Sequence, residues 1–329
     1  MRIAFIGGSG HYALALPALR ARGELRAVGL AKGCAEECVD GLARSLPGLA
    51  VEEDYRAMLD RVRPDLAVVD SWYCHHAGIA IECLQRGIHV FCEKPLATTL
   101  EDLDRLEAAW RQSGHALGGM FNLRGAPWFL AVRQAVEAGE IGTVRLIHGQ
   151  KSYRMGVRPA FYRTRALYGG MLPWVGIHAI DWALQLAGPC EWLCASQSRA
   201  ENRGQGELES SAALLMRLRD EALATVTADY FRPDGSARHD DDRLRVTGTR
   251  GMLEAVDGRV FLENEAPRRE LPLPEAQDVF AAFLDAVSQG AHGHWAESAL
   301  ESSRVSLLAR QSGDEGRAID RTEIRRMRT

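Results

Sequence analysis

The chain has 329 residues, too many for one ordinary hydrophobic core and suited to roughly two domains of about 100 to 200 residues each. Its 46% hydrophobic and 26% charged content is that of a globular protein, and a net charge of −4 provides no field suited to nucleic acid or an anionic membrane. A small neutral or polar ligand is expected instead. The start, Met1-Arg2-Ile3-Ala4-Phe5-Ile6-Gly7, runs straight into an apolar strand pattern with no room for a leader, and no apolar stretch approaches the roughly 20 residues that span a bilayer. A cytoplasmic location is expected. Seven cysteines, odd in number and scattered over apolar segments, fit reduced thiols better than a disulfide framework. Cys34/Cys38 and Cys190/Cys194 share i, i+4 spacing, but neither has a second ligand pair, so no structural zinc is expected.

In chain order, residues 2–6 read as a buried strand, 7–10 as a glycine-rich turn and 11–22 as a helix. The pattern repeats: strand 25–30, helix 35–46, a short helix 54–60 and a third apolar strand at Leu66-Ala67-Val68-Val69-Asp70. A helix over 76–86 stops at Gly87, His89-Val90-Phe91-Cys92 is β-rich, and Pro95 ends it. Thr98 or Thr99 caps a helix over 100–113 whose first turn carries Glu101 and Asp102, and 116–121 is the last strand of the first domain. From about residue 122 the grammar changes to a helix at 126–138, then strands at 143–150, 211–218, 222–231, 243–248 and 251–256 that read as an antiparallel set. Helices at 278–288 and 298–311 close the chain, and 325–329 is an Arg-rich solvated tail. The expected fold class is α/β: an N-terminal Rossmann domain over 1–121, a doubly wound parallel sheet, and a C-terminal α/β domain over 122–329.

Gly7-Gly8-Ser9-Gly10-His11-Tyr12-Ala13 lies between a strand and a helix, the context in which a glycine pattern binds phosphate. Gly8, Gly10 and Ala13 fit G-x-G-x-x-A, and Gly7, Gly10 and Ala13 fit G-x-x-G-x-x-A. Either reading places a pyrophosphate against backbone N–H groups at a helix N-terminus, with Gly8, Ser9, Gly10, His11 and Tyr12 as cofactor-binding candidates. The end of the second strand holds Leu30-Ala31-Lys32 in place of the acid that commonly accepts ribose hydroxyls. Lys32 is therefore either a partner for an NADP 2′-phosphate or a solvated lysine, and the choice between NAD and NADP stays open.

The segments Asp65-Leu66-Ala67-Val68-Val69-Asp70-Ser71-Trp72-Tyr73-Cys74-His75-His76-Ala77 and Gly87-Ile88-His89-Val90-Phe91-Cys92-Glu93-Lys94-Pro95-Leu96-Ala97 resemble the glucose-fructose oxidoreductase / inositol dehydrogenase (Gfo/Idh/MocA) family, with Glu93-Lys94-Pro95 the most specific mark. Phe121-Asn122-Leu123-Arg124, Gly139-Glu140-Ile141-Gly142 and Gly248-Thr249-Arg250-Gly251 extend the likeness over nearly the whole chain. The resemblance implies an open, mostly antiparallel sheet in the second domain, a nicotinamide between the domains, and Ser71, Trp72, His76, Glu93 and Lys94 lining the cofactor site. It implies Lys94 as a catalytic group that polarises a carbonyl or relays a hydroxyl proton. The run Gly169-Gly170-Met171-Leu172-Pro173-Trp174-Val175-Gly176-Ile177-His178-Ala179-Ile180-Asp181 resembles the family's second landmark, which makes His178 the general acid or base and puts Asp181 one helical turn on, as an orienter.

One departure stands out: many family members have Asp four residues before that His, where this chain has Trp174, which can stack on a sugar ring or signal impaired alcohol oxidation. Asn122, Tyr153, Arg163, Trp174, His178 and Asp181 are the substrate-binding candidates, the tyrosine and arginine from the aromatic and basic run 153–163. His239-Asp240-Asp241-Asp242 reads as a polar loop ahead of a strand rather than a metal site, and no metal is expected. The expected activity is NAD(P)-dependent hydride transfer at the CH–OH group of a sugar, cyclitol or related polyhydroxy or keto compound, in a homo-oligomer by resemblance. Two rivals remain: glycoside cleavage by oxidation, elimination and re-reduction with no net redox, and a non-catalytic dinucleotide-binding regulator.

Overall fold

The computed structural model describes residues 1–326; residues 327–329, the end of the expected tail, lie outside the described residues. The chain divides into two compact units, the first made of Met1–Asn122, Ala166–Gly169 and Asp278–Ser303, the second of Leu123–Arg165, Gly170–Gln277 and the residues from Arg304 on.

Six strands form the sheet of the first unit: β1 (Arg2–Ile6), β2 (Arg26–Ala31), β3 (Val51–Glu52), β4 (Leu66–Val69), β5 (His89–Cys92) and β6 (Leu117–Gly119). Their order is β3-β2-β1-β4-β5-β6 and every pairing is parallel. That order reverses direction between β1 and β4, and such a switch point leaves a crevice at the carboxyl ends of the strands. The connecting helices are α1 (Leu16–Ala21), α2 (Asp40–Ser45), α3 (Tyr55–Val62), α4 (His76–Gln85) and α5 (Leu100–Ser113). Strands covered on both faces read as continuous apolar runs, which is why Leu66 to Val69 and Val90 to Cys92 are buried without alternation. The helix Val279–Ser288 completes the cover, packing Phe280 and Phe283 on Phe91 at ring separations of 5.0 and 5.2 Å.

Two local expectations are corrected here. The helix expected over 35–46 spans only Asp40–Ser45, because the preceding loop turns inward and buries Glu37, whose carboxylate accepts N–H and O–H donors from other segments. The helix expected over 11–22 opens with a tight 3₁₀ turn at Tyr12–Ala15 before α1 begins.

In the second unit, α6 (Pro127–Glu137) and α8 (Ile177–Ala187) accompany a nine-stranded sheet, whereas the one-turn helix α7 (Arg165–Tyr168) falls mostly in the first unit. Its strands are β7 (Val144–Arg154), β8 (Cys190–Ser198), β9 (Ser211–Leu218), β10 (Leu223–Arg232), β11 (Asp240–Gly248), β12 (Met252–Val256), β13 (Arg259–Glu263), β14 (Arg269–Glu270) and β15 (Ile319–Asp320). The order is β14-β13-β12-β11-β7-β10-β9-β8-β15, antiparallel throughout except for β7 beside β10. Burial alternates along β9 and β10, as a sheet with one covered and one open face requires. Gly149 lets α8 approach: a Cβ there would lie 3.0 Å from that of Ala179.

The run 240–242 is strand rather than the polar loop expected, because Asp242 pairs across the ladder with Lys151 and its carboxylate receives the Lys151 ammonium at 2.6 Å. Lys151 is buried, facing the rings of Tyr153 and Trp182 at 4.9 and 5.5 Å. Burial pushes the Lys151 ammonium below its usual range and the Asp242 carboxyl above it, the mutual attraction offsetting part of each. Among the described residues no group of three or more His, Cys, Asp or Glu is placed to hold a metal ion, and no helix is long and apolar enough to cross a membrane.

Two outcomes follow for unfolding experiments. Gly7 has φ of +85°, and a Cβ there would lie 2.5 Å from the backbone of Ser71, so Gly7→Ala should cost roughly 2–4 kcal/mol in urea unfolding. Asp242→Ala strands a buried ammonium and should cost about 3–5 kcal/mol by the same measurement, whereas an ion pair of negligible value would leave the midpoint unchanged.

Candidate active site

At the end of β1 the chain leaves the sheet, and the amides of the turn need acceptors. The structure supplies them from within. Gly7 N–H donates to the Ala31 carbonyl at 2.9 Å and Ser9 N–H to that of Asp70 at 2.8 Å. Gly8 N–H donates to Glu37 Oε1 at 3.1 Å, His11 N–H to Glu93 Oε2 at 3.2 Å, and Tyr12 N–H to Asp70 Oδ2 at 2.8 Å. Asp70 and Glu93 follow β4 and β5, whose register pairs Val69 with Cys92, so both arrive beneath the same helix start.

These two fully buried carboxylates behave differently. Burial, and then the neighbouring Glu93 charge, push the Asp70 carboxyl well above the usual range, against the pull of the Tyr12 and Gly10 amides. Burial acts on Glu93 in the same sense, but the charge and hydrogen bond of His11, with help from Lys94, outweigh it and hold Glu93 below the usual range. The His11 ring Nδ1 lies 2.9 Å from Glu93 Oε2, and the Lys94 ammonium 3.8 Å from Oε1.

Lys94 is thus a buried cation beside a buried anion at the carboxyl end of the fifth strand, and its peptide bond to Pro95 is cis. His76, at the start of α4, spans the corner, with Nδ1 2.8 Å from the Pro95 carbonyl and Nε2 2.8 Å from that of Ser71. Burial lowers the His76 pKa, the Pro95 carbonyl opposing it. Among the cofactor candidates, Gly8, Ser9, Gly10, His11, Tyr12, Ser71, His76, Glu93 and Lys94 belong to this one connected cluster, and Trp72 opens the short helical turn Tyr73–His75 beside it. Lys32 points elsewhere, its ammonium 2.8 Å from Glu53.

In the second unit Gly170, with φ of +110°, admits the chain to a π-helical turn, Leu172–Gly176, that runs directly into α8. Such turns recur at functional sites because they re-aim side chains against the helix that follows. Trp174, His178 and Asp181 all lie on this continuous element and all are buried. The Trp174 ring meets that of Tyr162 edge-on at 6.1 Å. The Asp181 carboxylate receives Arg124 through two donors, at 2.9 and 2.5 Å, a forked contact that fixes one face of α8. Tyr153 stacks on His239 at 4.9 Å, Arg163 Nε donates to Gln205 at 3.3 Å, and Asn122 begins the turn Asn122–Gly125.

Sequence reasoning missed Glu37, Asp70 and Arg124. Asp70 was visible as a lone carboxylate ending a fully apolar strand, and Glu37 as an acid a few residues beyond a second strand that lacks one at its end. Glu37 is the most informative. Its Oε1 accepts from the Gly8 amide and the Ser9 hydroxyl, and its Oε2 from the Gly33 amide and the Ser71 hydroxyl, both at 3.0 Å. Donors from the ends of β1, β2 and β4 therefore hold a pair of anionic oxygens, which is the donor chemistry that the phosphates and ribose of a dinucleotide need. The residues present fit that group.

Known proteins agree with this architecture. Residues 1–119 match the oxidoreductase family with NAD-binding Rossmann fold, and residues 129–254 the GFO/IDH/MocA C-terminal domain. The chain is 32% identical to inositol 2-dehydrogenase 2 of Saccharopolyspora erythraea over 77% of its own length and 74% of that protein's. Against the uncharacterized oxidoreductase YrbE of Bacillus subtilis, 29% identity extends over 64% of this chain and only 60% of that protein. A solved putative oxidoreductase from Thermotoga maritima superposes with a TM-score of 0.93 at 37% identity, covering 97% of this chain and 100% of that one. A nicotinamide dinucleotide, NAD or NADP, is the cofactor class of this fold, and with both halves matched in order the chain belongs to the GFO/IDH/MocA family of oxidoreductases.

Proposed function

We propose that this oxidoreductase exchanges hydride with a secondary carbinol, or the corresponding ketone, of a sugar, cyclitol or related polyhydroxy compound. The observation that supports this most directly is Lys94, a cation only 2% exposed and fixed at a strand end by Glu93 and by the His76 clamp on its neighbour Pro95. A buried ammonium has a cost, and where it lies beside a cofactor groove its return is chemical. When bound, the nicotinamide supplies the hydride acceptor or donor. Lys94 donates a hydrogen bond to the reacting oxygen and stabilises the charge that develops there. His178 takes the hydroxyl proton during oxidation and returns it during reduction. Asp181, engaged by Arg124, sets the rotation of α8 rather than moving a proton. The likeness to an inositol 2-dehydrogenase supports a cyclitol or sugar ring, and Trp174 offers an indole against which the C–H face of such a ring packs. Leu215 and Leu223, exposed on one face of β9 and β10, support a homo-oligomer formed through the open sheet.

Lys94→Ala and His178→Ala should each lower kcat by about two to four orders of magnitude in a polyol and keto-sugar screen, with NADH affinity within several-fold of wild type. Full turnover in both variants would overturn the reading. The cofactor preference is also open to measurement. Lys32 is tied to Glu53, which with Asp40 raises its pKa, and the Glu37 carboxylate lies at the Gly33 amide just beyond β2. A 2′-phosphate would enter an acidic neighbourhood whose one nearby lysine is already paired, so NADH should bind at least about tenfold more tightly than NADPH at low salt. Equal affinities would show that Lys32 leaves Glu53 for the phosphate.

A further inference from the structure

Glu37 is 2% exposed although it sits in a loop with no helical or strand structure of its own, between β2 and α2. A carboxylate is drawn that deep only by donors, and Glu37 has two on each oxygen: Gly8 N–H and Ser9 Oγ–H on Oε1, Gly33 N–H and Ser71 Oγ–H on Oε2. These donors come from the carboxyl ends of strands that flank the switch point, where the fold binds its dinucleotide. The remaining amides of the turn at 7, 9, 11 and 12 are covered by backbone carbonyls and by Asp70 and Glu93. Asp70 and Glu93 directly follow β4 and β5, are fully buried, and have their own amides bonded to the Ile6 and Val69 carbonyls of the neighbouring strands, which holds them in place. Glu37 alone among the three acids is carried by a loop and can be exchanged.

We infer that Glu37 is an internal competitor for the dinucleotide, and that NAD(H) binds by displacing its carboxylate from the Gly8, Ser9, Gly33 and Ser71 donors. The inference rests on the proposed dinucleotide-dependent function. It goes beyond that reading by assigning Glu37 a role opposite to that of the ribose-binding acid found at the end of the second strand in other dinucleotide folds. An acid that reads ribose hydroxyls adds affinity, whereas an acid that holds the ligand's own donors lowers the fraction of molecules competent to bind. Gly33 is part of the device: the space that a Cβ would need there is taken by the Ser71 hydroxyl and the Glu37 carboxylate.

The two roles give opposite signs in one measurement. NADH is titrated by fluorescence against the full-length wild type, Glu37→Gln and Glu37→Ala at fixed ionic strength, with thermal melts of each protein run alone and at saturating NADH. The expected result is about tenfold tighter binding in both variants, the fold-change set by the fraction of wild type in which Glu37 has vacated its donors. The ligand-free melting temperature of Glu37→Ala should fall as four donors lose their acceptor, and its rise on adding NADH should exceed that of wild type. If Glu37→Ala does not fold, Glu37→Gln, which keeps the shape and removes the charge, gives the same comparison. Equal or weaker NADH binding in the folded variants, with binding by wild type, overturns the competitor role and leaves the proposed function standing, weaker binding making Glu37 a nucleotide ligand. Absence of NADH binding from wild type and variants alike overturns both.

Discussion

The first unit is organised by the demand of a few backbone amides for acceptors at the point where β1 becomes a helix. A helix start leaves N–H groups without partners, and in a sheet covered on both faces water does not reach them freely. This chain meets the demand with its own carboxylates, one following each of two neighbouring strands and one on a loop. Parallel register forces the first two together, since β4 and β5 run side by side with Val69 opposite Cys92. Once Glu93 lies there ionised, the buried cation of Lys94 next to it has a counter-charge, and the reactive corner becomes affordable as a buried feature.

The two buried acids bias stability in opposite directions as pH changes. Asp70 has a raised pKa, so the folded protein keeps a proton that the unfolded chain releases above the ordinary carboxylate range. Its contribution is complete below that range and is lost as pH rises through the folded value. Glu93 has a lowered pKa, so its contribution is present above the ordinary range and is lost as pH falls through the folded value. Removing His11, the largest of the influences that hold Glu93 down, shifts the balance between the two acids before it alters the sheet.

Much of this was legible in the sequence because apolar runs and glycine positions report local geometry. Five of the six strands of the first sheet, all but the two-residue β3, together with the cap of α5 at Thr99 and the glycine turn, follow from neighbours a few residues apart. Glu37 was not legible, because its partners lie 28, 29 and 34 residues away and no local pattern distinguishes a loop glutamate that turns inward from one in water. The same loop misled the reading of α2, where Ala35, Glu36 and Glu37 have good helix propensity but the inward carboxylate dictates another path. Asp240 to Asp242 were misread for a related reason: three acids in a row suggest a solvated loop, and the cross-strand partner Lys151 makes a half-buried strand of them. β8 was missed because its polar residues interrupt the alternation that marks a half-buried strand, and β13 because its apolar centre, Val260-Phe261-Leu262, is only three residues long.

The second unit solves its own problem differently, and the contrast bears on which side chains are available for chemistry. α8 carries two buried polar groups three residues apart, His178 and Asp181, which share one face. The forked contact of Arg124 neutralises Asp181 and locks the helix in rotation, because a guanidinium in bidentate geometry tolerates little sliding. With Asp181 so engaged, the proton carrier proposed for this face is the imidazole of His178. The π turn before it moves Trp174 off the register of a regular helix, and the indole meets the ring of Tyr162 edge-on. A ring there lowers local polarity instead of adding charge, which under the proposed function suits packing against the apolar C–H face of a sugar or cyclitol.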